Sequence, residues 1–345
     1  MKGSILKRHR SGLVACNILF LALAIVGCRG KDEIVVYSAL DREFAEPILD
    51  EFAERAGVRV LARYDVESTK TVGLVQAIRA ESRKARCDLF WNNEILHTIR
   101  LQQEGLLDTY LLDGADGLPP EMQSGDGAWY GFAARARVFL VNLGEVPFEQ
   151  FPQSIGDLVD PKWKGRVGIA KPLFGTTATH MAVLYSEFGP ELGEEYLRKL
   201  KENCQVLAGN KHVAQAVSSG QLAWGLTDSD DAFGEYEKGE PVAIVFPDQE
   251  EGGLGALRIP NTLAIMRNPP NRVLARKLMN FLVSPAVEDR LARSGSAQIP
   301  LHPDAHQVSP VMPDEPVLWM DIDFTVAARD WEKSNRLLVE IFRGE

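Results

Sequence analysis

The sequence predicts an α/β protein with two lobes in tandem. A β-rich run at residues 34–37 precedes a segment at 43–56 with apolar side chains at helical spacing. Gly57 ends that helix before a second β-rich run at 58–64. Such alternation is typical of a parallel sheet flanked by helices. The 345 residues also exceed the roughly 250–300 at which a single core stops growing, which indicates two lobes.

The remaining elements follow from the same two patterns. Helices are predicted where apolar residues recur every three or four positions, and strands where a short apolar run lies between turn residues. The first series continues with helices at 71–82 and 95–104 and strands at 88–91 and 138–142. The second series has strands at 166–170, 205–208 and 222–226 and helices at 177–187, 191–202 and 213–219. A strand at 259–266 and helices at 271–282, 286–294 and 317–342 complete the chain.

The first 28 residues have the layout of a bacterial secretory signal. A basic start up to Arg10 precedes an apolar run at Leu13–Gly27, and the ending Ile25–Cys28 resembles a lipobox. We therefore predict a signal peptide at 1–27, lipidation of Cys28, a short linker at 28–32 and a membrane-anchored protein in the periplasm. The alternative is an uncleaved anchor, but about fifteen apolar residues fall short of the roughly twenty that a spanning helix needs.

The formal net charge of −10 argues against a nucleic-acid partner, which requires a basic surface. The composition, with 45% hydrophobic and 25% charged residues, is that of an ordinary globular protein. The charge does not identify a ligand, because acidic surfaces usually serve solubility.

Two cysteines, Cys87 and Cys204, remain after the signal and the lipid site are set aside. An oxidising compartment would permit a disulfide between them. Because Cys87 opens an apolar strand in what we expect to be the other lobe, we predict two buried free thiols. No cysteine or histidine spacing indicates a structural zinc site.

The sequence shows no catalytic motif. It lacks the G-x-S-x-G, HExxH and P-loop patterns, and Ser294-Gly295-Ser296 lacks a strand-turn-helix setting. We therefore predict a binding protein rather than an enzyme, with an extracytoplasmic hydrolase as the weaker alternative. A lipoprotein sensor with a protein partner would have the same sequence features.

Several segments, in order, resemble ferric-ion-type periplasmic binding proteins of ABC transporters. They are Val35–Asp41, Asp88–Glu94, Glu104–Leu107, Trp129–Val138, Gly156–Leu158, Pro161–Val167, Asn210 and Ser294–Pro300. The resemblance covers nearly the whole chain after the signal.

The resemblance implies a type II, Venus-flytrap fold with a hinge that closes on a small ligand and docks to a membrane permease. It also implies a discontinuous first lobe, formed by residues 33–136 and 258–305. The second lobe would then comprise 137–257 and 306–345. A monomer is expected, with no resident cofactor, so that a metal would be the transported ligand.

Polar residues follow the first two predicted strands, where ligands bind in open α/β sheets. Ser38 and Asp41 follow the first strand, and iron-binding relatives often have a histidine near the position of Asp41. Asn93 and Glu94 follow the strand at 88–91, and the family has a carboxylate ligand near Glu94. Glu94 could equally be a carboxylate that stabilises a helix N-terminus.

The third turn resembles the loop that binds a synergistic anion in the family. Thr176 and Thr177 stand at a predicted helix start, where free N–H groups can bind an anion, and Asn210 precedes another helix. The alternative is that the threonines only cap the helix. His180, further inside the helix, is expected to be packed rather than a ligand.

The fourth turn departs from the family. Iron-binding relatives have adjacent tyrosines after this strand, whereas this chain has Thr227, Asp228, Ser229, Asp230 and Asp231. Three close aspartates require a cation or hydrogen-bond donors. Asp228 and Asp230 could bind a metal, an ammonium group or hydroxyls, and Asp231 is the expected helix cap.

The predicted ligand-binding residues come from these four turns. It comprises Ser38, Asp41, Asn93, Glu94, Thr176, Thr177, Asn210, Thr227, Asp228 and Asp230, with Asp41, Glu94, Asp228 and Asp230 as metal candidates. Lys70 is a further candidate for an anion, and Arg135 and Arg137 for a hinge or a salt bridge between lobes. The first hypothesis is a receptor for iron(III) or another metal. The second is a receptor for an organic or phosphorylated solute such as a sugar phosphate, phosphonate, polyamine or thiamine-like compound.

Overall fold

The computed structural model describes residues 32–65, 71–112 and 115–343. Residues 32–345 form a compact unit by themselves. The predicted signal peptide, Cys28, and Lys70 therefore lie outside the described residues.

The described chain alternates strands with helices, as predicted. The strands are β1 (Glu33–Ser38), β2 (Arg59–Tyr64), β3 (Leu89–Asn92), β4 (Tyr130–Asn142), β5 (Val167–Ala170), β6 (Gln205–Leu207), β7 (Trp224–Asp228), β8 (Val242–Val245) and β9 (Arg258–Ile265). The helices are α1 (Arg42–Ala56), α2 (Val72–Ala80), α3 (Leu96–Gln103), α4 (Gly175–Asn203), α5 (Asn210–Ser218), α6 (Ser229–Glu237), α7 (Arg272–Leu282), α8 (Pro285–Arg293) and α9 (Phe324–Phe342).

The strands are joined in the order β2-β1-β3-β9-β4-β7-β5-β6, and β8 also pairs with β4. The first three strands are parallel to one another, and so are β5, β6 and β7. Between these groups, β9 and β4 run antiparallel to their neighbours. Two parallel α/β groups thus lie on either side of a central antiparallel pair.

Strand β4 belongs to both groups. Its residues 130–136 pair with β9, and residues 137–142 pair with β7 and β8. All thirteen of its residues are buried. The sequence predicted only 138–142, because Gly131, Ala133, Ala134 and Ala136 have low strand propensity. A Cβ at Gly131 would lie 2.6 Å from the Met122 carbonyl oxygen, so close packing explains the small residue.

Other element boundaries also differ from the prediction. Strand β8 was not predicted, and α9 begins at Phe324 rather than near 317. The two helices predicted within 177–202 form one element that is interrupted at Gly189, which has a φ of 77° and precedes Pro190. Glycine accepts this left-handed conformation, and the proline lacks the N–H that would continue the hydrogen-bond ladder.

The C-terminal helix α9 packs against both groups. Trp331 of α9 meets His97 of α3 edge-on, with 4.8 Å between ring centroids. Arg198 of α4 donates to Glu340 of α9 at 2.8 Å. The predicted lobe boundaries stay a prediction.

The two thiols agree with the sequence analysis. Cys87 and Cys204 are both buried and free, as predicted. Burial raises the pKa of Cys204 to about 12 and that of Cys87 well above its ordinary value. Separately, within the described residues no helix combines the length and the apolar character needed to cross a membrane.

A buried carboxylate holds the irregular point of β4. The register of β4 with β9 shifts between Phe132 and Ala134, and Ala133 has a φ of 43°. The N–H of Ala133 donates to Glu288 at 2.6 Å. The other Glu288 oxygen accepts from Leu301 at 2.9 Å and from His302 at 2.6 Å. Glu288 therefore joins α8 to β4 and to the segment after Ile299.

We predict that Glu288→Ala destabilises the protein by about 3 kcal/mol, because three buried N–H groups lose their acceptor. Urea unfolding followed by circular dichroism measures the change. The exposed Glu54→Ala change on α1 is the control and is expected to alter stability by less than about 0.5 kcal/mol. Equal stability of the two variants would contradict this role.

Candidate ligand-binding site

The predicted site turns border a cleft at the carboxyl ends of β3, β5 and β7. The cleft has about 400 Å³ of empty space. Asn93 and Arg135 line it from the β3 and β4 side, and Ala170–Lys171, Phe174–Thr177, Ala208–Asn210, Asp228 and Asp231 line the other sides. A second cavity of about 600 Å³ also has Asp231 in its wall, together with Asp41, Asp230 and Lys211.

Asp228 is the buried centre of the hydrogen-bond network, with 2% of its surface exposed. One carboxylate oxygen lies 2.5 Å from Nη1 of Arg137. The other accepts hydrogen bonds from the Thr176 hydroxyl at 2.6 Å and from the Asn210 amide at 2.9 Å. Residues from β4, β7 and the starts of α4 and α5 thus meet at one carboxylate.

Arg135 lies two residues before Arg137 on β4 and lines the cleft. Its guanidinium lies 3.6 Å from Asp228 and 3.5 Å from Asp230, and it donates to the Asn93 carbonyl oxygen. Arg135 therefore links the turn after β3 to the turn after β7. Arg137 forms an ion pair with Asp228, its register partner on β7, and both residues belong to the predicted second lobe. The suggested salt bridge between lobes stays a prediction.

The charges of this network stabilise one another. Burial acts to raise the pKa of Asp228, but the guanidinium groups of Arg137 and Arg135 outweigh it and the pKa is lowered. Burial acts to lower the pKa of Arg135, but Asp230 and Asp228 outweigh it and the pKa is raised. Asp228 and Arg135 are therefore charged at neutral pH.

The starts of α4 and α5 face the cleft. Thr176 and Thr177 lie inside the first turn of α4, after Phe174 at the cap position, and neither threonine caps the helix. Thr177 donates to the Asn210 side-chain oxygen at 3.1 Å, which ties the two helix starts together. The alternative of simple threonine capping is therefore wrong. The first residues of both helices line the cleft, where the first N–H groups of a helix have no acceptor within that helix.

Glu94 is buried at the start of α3 and has internal partners for both oxygens. It accepts from the N–H of Leu96 at 2.7 Å, from Asn92 at 2.8 Å and from Thr179 at 2.9 Å. His97 lies 3.0 Å away. Burial acts to raise the pKa of Glu94, but His97 and these donors outweigh it and the pKa is lowered. These contacts match the helix-terminal role that the sequence left open, and the Thr179 bond links α3 to α4.

The other predicted residues divide between the interior and the second cavity. The buried hydroxyls of Ser38 and Thr227 donate to the carbonyl oxygens of Leu40 and Asn210. Asp41 stands at the cap position of α1 and, with Asp230, borders the second cavity. The cavity wall therefore brings together Asp41 and Asp230, which the sequence placed on separate turns, but not Glu94 or Asp228.

Three aspartates after β7 are close enough to share a cation. One oxygen each of Asp228, Asp230 and Asp231 lies within 4.8 Å of the others. The prediction that Asp231 caps the following helix is wrong, because α6 begins at Ser229 with Asp228 at the cap position. Asp231 instead lies in the first turn of α6, where a carboxylate is favoured by the helix dipole.

Two site features were missed or undervalued in the sequence. Lys171, directly after β5, lines the cleft but was not among the predicted residues. Arg137 was predicted only for a hinge or a salt bridge between lobes and not as the partner of Asp228. The available signal was the Arg-x-Arg spacing within an apolar stretch. His180 is buried as expected, and burial and Arg137 hold its pKa well below the ordinary value. It is therefore neutral beside the pair.

We predict that Asp228→Asn costs about 3–5 kcal/mol in stability, because Arg137 becomes a buried charge without its partner. The pKa of Asp228 is lowered in the folded state, so its contribution is fully present above pH about 4 and is lost as the pH falls through the lowered value. Urea unfolding from pH 8 to pH 3 measures the difference between variant and parent, which should shrink only at the acid end.

The control is Asp230→Asn, since Asp230 lies 3.5 Å from Arg135 and makes the weaker contact. It should cost clearly less stability than the Asp228 change at every pH. A difference between parent and Asp228→Asn that persists unchanged at pH 3 would contradict the assignment.

Comparison with known proteins gives relatives that are named for the uptake of iron or the binding of a phosphonate. The chain is 27% identical over 275 residues to the iron uptake protein A1 of Synechocystis, covering 76% of this chain and 74% of that protein. It is 27% identical over 146 residues to a putative 2-aminoethylphosphonate-binding periplasmic protein of Salmonella typhimurium, covering 41% and 43%.

Solved structures share the fold. Iron-bound HitA from Pseudomonas aeruginosa aligns with a TM-score of 0.78 at 22% identity, over 89% of this chain and 99% of that one. The periplasmic binding protein AfuA from Actinobacillus pleuropneumoniae, with fructose 6-phosphate bound, aligns with a TM-score of 0.78 at 22% identity, over 91% and 99%. The predicted two-lobed periplasmic-binding-protein fold is thereby confirmed.

The model of the bacterial extracellular solute-binding protein family matches residues 98–327, well over half of the chain. The chain therefore belongs to the bacterial extracellular solute-binding protein family.

Proposed function

We propose that the chain is the ligand-capturing protein of an ABC importer and that its ligand is a small solute with a phosphate or phosphonate group. It is anchored by a lipid on Cys28, works as a monomer and delivers the ligand unchanged to a permease. The observation that carries the ligand assignment is the convergence of two helix N-termini and Arg135 on one cleft.

The anionic end of the ligand would lie at the starts of α4 and α5. The first N–H groups of a helix are not used within it, and the helix dipole adds partial positive charge. Arg135 and Lys171 stand in the same cleft wall. A phosphate or phosphonate oxygen is the ligand group that matches such donors.

The opposite end of the ligand would face the aspartates. Asp231 borders both cavities, and Asp230 and Asp41 border the larger one. Carboxylates in the wall of this neighbouring cavity can accept hydrogen bonds from the hydroxyls of a sugar or from the ammonium group of an aminophosphonate. The names of two relatives, one for 2-aminoethylphosphonate and one with fructose 6-phosphate bound, are consistent with this class.

The second candidate ligand is iron(III). Three carboxylates lie within 4.8 Å of one another, and hard cations prefer such oxygen ligands. Relatives named for iron support it as well. Against it, the guanidinium groups at 2.5 Å and 3.5 Å already occupy Asp228 and Asp230 and would repel a trivalent cation. No tyrosine lines either cavity among the described residues.

Arg135→Met separates the two candidates because its effects have opposite signs. An anionic ligand loses a charged hydrogen-bond donor, so its affinity should fall roughly 10–100-fold. Iron(III) loses a competitor for Asp228 and Asp230, so its affinity should stay the same or rise. Calorimetric titration with 2-aminoethylphosphonate, fructose 6-phosphate and ferric citrate, on protein starting at Arg29, makes the comparison.

The matched control is Arg329→Met, an exposed arginine of α9. It should leave all affinities unchanged. The second candidate would replace the first under two conditions. The protein would bind ferric citrate tightly with no loss of affinity in Arg135→Met, and it would bind neither 2-aminoethylphosphonate nor fructose 6-phosphate. Mass spectrometry of molecules released from the purified protein identifies a ligand outside this panel.

The lipid anchor is tested separately. We predict that the full chain incorporates labelled palmitate and sediments with membranes, and that Cys28→Ser abolishes both. Cys204→Ser is the control, because that thiol is buried and free and should not affect lipidation. Labelling that persists in Cys28→Ser would contradict the anchor.

A further inference from the structure

A group of exposed cations lies where β3 begins and β9 ends, at the end of these strands opposite the cleft. Arg83, Lys84 and Arg86 precede β3, and Arg267 follows β9. All four side chains are exposed, and none forms an ion pair within the described residues. We call these four residues the basic edge.

Hydrogen bonds place the basic edge beside the first residues of β1. Asp88 donates its N–H to the Val35 carbonyl at 2.9 Å, and the Met266 N–H donates to the Asp88 carbonyl at 3.1 Å. The Asn271 side chain donates to the Glu33 carbonyl at 3.3 Å. The segments carrying the four cations therefore flank the point where the chain enters the fold at Asp32.

That point is tied to the membrane under the proposed lipid anchor. Cys28 precedes Asp32 by four residues, and an extended chain spans at most about 3.6 Å per residue. A lipidated Cys28 would thus hold Asp32 within roughly 15 Å of the lipid. The linker itself adds Arg29 and Lys31.

The acidic groups near this edge are mostly engaged. Glu33 pairs with Arg59, Asp108 pairs with Arg272 at 3.0 Å, and Glu81 accepts from the Tyr37 hydroxyl at 3.0 Å. The Tyr37 hydroxyl is neutral and does not offset the Glu81 carboxylate, and Asp32 is exposed, so two carboxylates stand against the four cations. The edge is therefore locally positive on a chain whose formal net charge is −10.

The surface between these cations is concave. A depression of about 600 Å³ is lined by Arg83, Lys84, Arg267 and Asn268. A neighbouring one of about 280 Å³ shares Arg267 and adds Arg86 together with one carboxylate, Glu81. Converging cations around a hollow suit a phosphate group better than a flat, dispersed charge would.

We propose that the basic edge binds anionic lipid headgroups and holds the first lobe against the membrane. A single acyl chain gives weak membrane binding, and a basic patch supplies the second attraction. The cleft lies at the other end of the same strands, so this orientation leaves it open to the surrounding compartment. The location of the edge rests on the proposed lipid anchor, whereas headgroup binding is measured without it.

The test uses protein that starts at Arg29 and carries no lipid, since residues 32–345 form a compact unit. It is floated with vesicles of phosphatidylcholine alone or of equal parts phosphatidylcholine and phosphatidylglycerol. We expect binding only to the anionic vesicles and release by added salt. The triple change Arg83→Glu, Lys84→Glu and Arg86→Glu should reduce the bound fraction roughly tenfold or more.

The matched control reverses three exposed cations elsewhere, with Lys164→Glu, Arg336→Glu and Arg343→Glu. It produces the same change in net charge and should retain binding within about twofold. Circular dichroism and urea unfolding confirm that both variants are folded. The proposal fails if the parent does not bind anionic vesicles, if the first triple variant binds as well as the parent, or if the control loses binding equally.

These outcomes are independent of the proposed importer function. If headgroup binding fails, the tests of ligand capture and of palmitate labelling still stand. If Cys28 is not lipidated, the vesicle result can still be interpreted, because the protein in that experiment carries no lipid.

Discussion

The ion pair between Arg137 and Asp228 is the contact on which the site depends. The two residues are register partners of β4 and β7, and both side chains are buried. Either charge alone would be costly there, so the pair constrains both strands. Thr176 and Asn210 donate to the same carboxylate and bring the starts of α4 and α5 to the end of β7. The position of two helix N-termini in the cleft thus follows from neutralising one buried aspartate.

The same pair limits what a ligand can contact. Asp228 already receives the side-chain donors of Thr176 and Asn210, so a ligand meets mainly Arg135, Lys171 and the backbone N–H groups of the helix starts. A metal ion would have to displace a guanidinium group from its carboxylate. An oxyanion requires no such exchange. Under the proposed function, the aspartates beyond Arg135 would face the other end of the ligand, where hydroxyl or ammonium groups can donate.

The sequence was sufficient for the alternation of strands and helices because the periods of the two patterns differ. It also located Asn93, Thr176, Asn210 and Asp228, since each follows a strand on the ligand-binding edge of an α/β sheet. It could not show that Arg137 meets Asp228, because that contact depends on the register of two strands far apart in the chain. Nor could it show that Thr179 completes the hydrogen bonds of Glu94 from another helix. The first half of β4 was missed because its small residues have low strand propensity. Only the packing around them shows why they are needed.

The cleft end of the strands and the opposite end differ in the origin of their positive charge. At the cleft end, helix starts contribute N–H groups and positive dipole ends. At the opposite end, helices end, and cations near a helix C-terminus are favoured by the dipole alone. Arg79 in the last turn of α2 has this favourable position and also pairs with Glu104 at 2.5 Å. The dipole effect falls off within one turn, so it does not account for Arg86, six residues beyond Ala80, or for Arg267, which follows a strand. Both cations are exposed to solvent, and under the proposed lipid anchor they would face the anionic surface of the membrane.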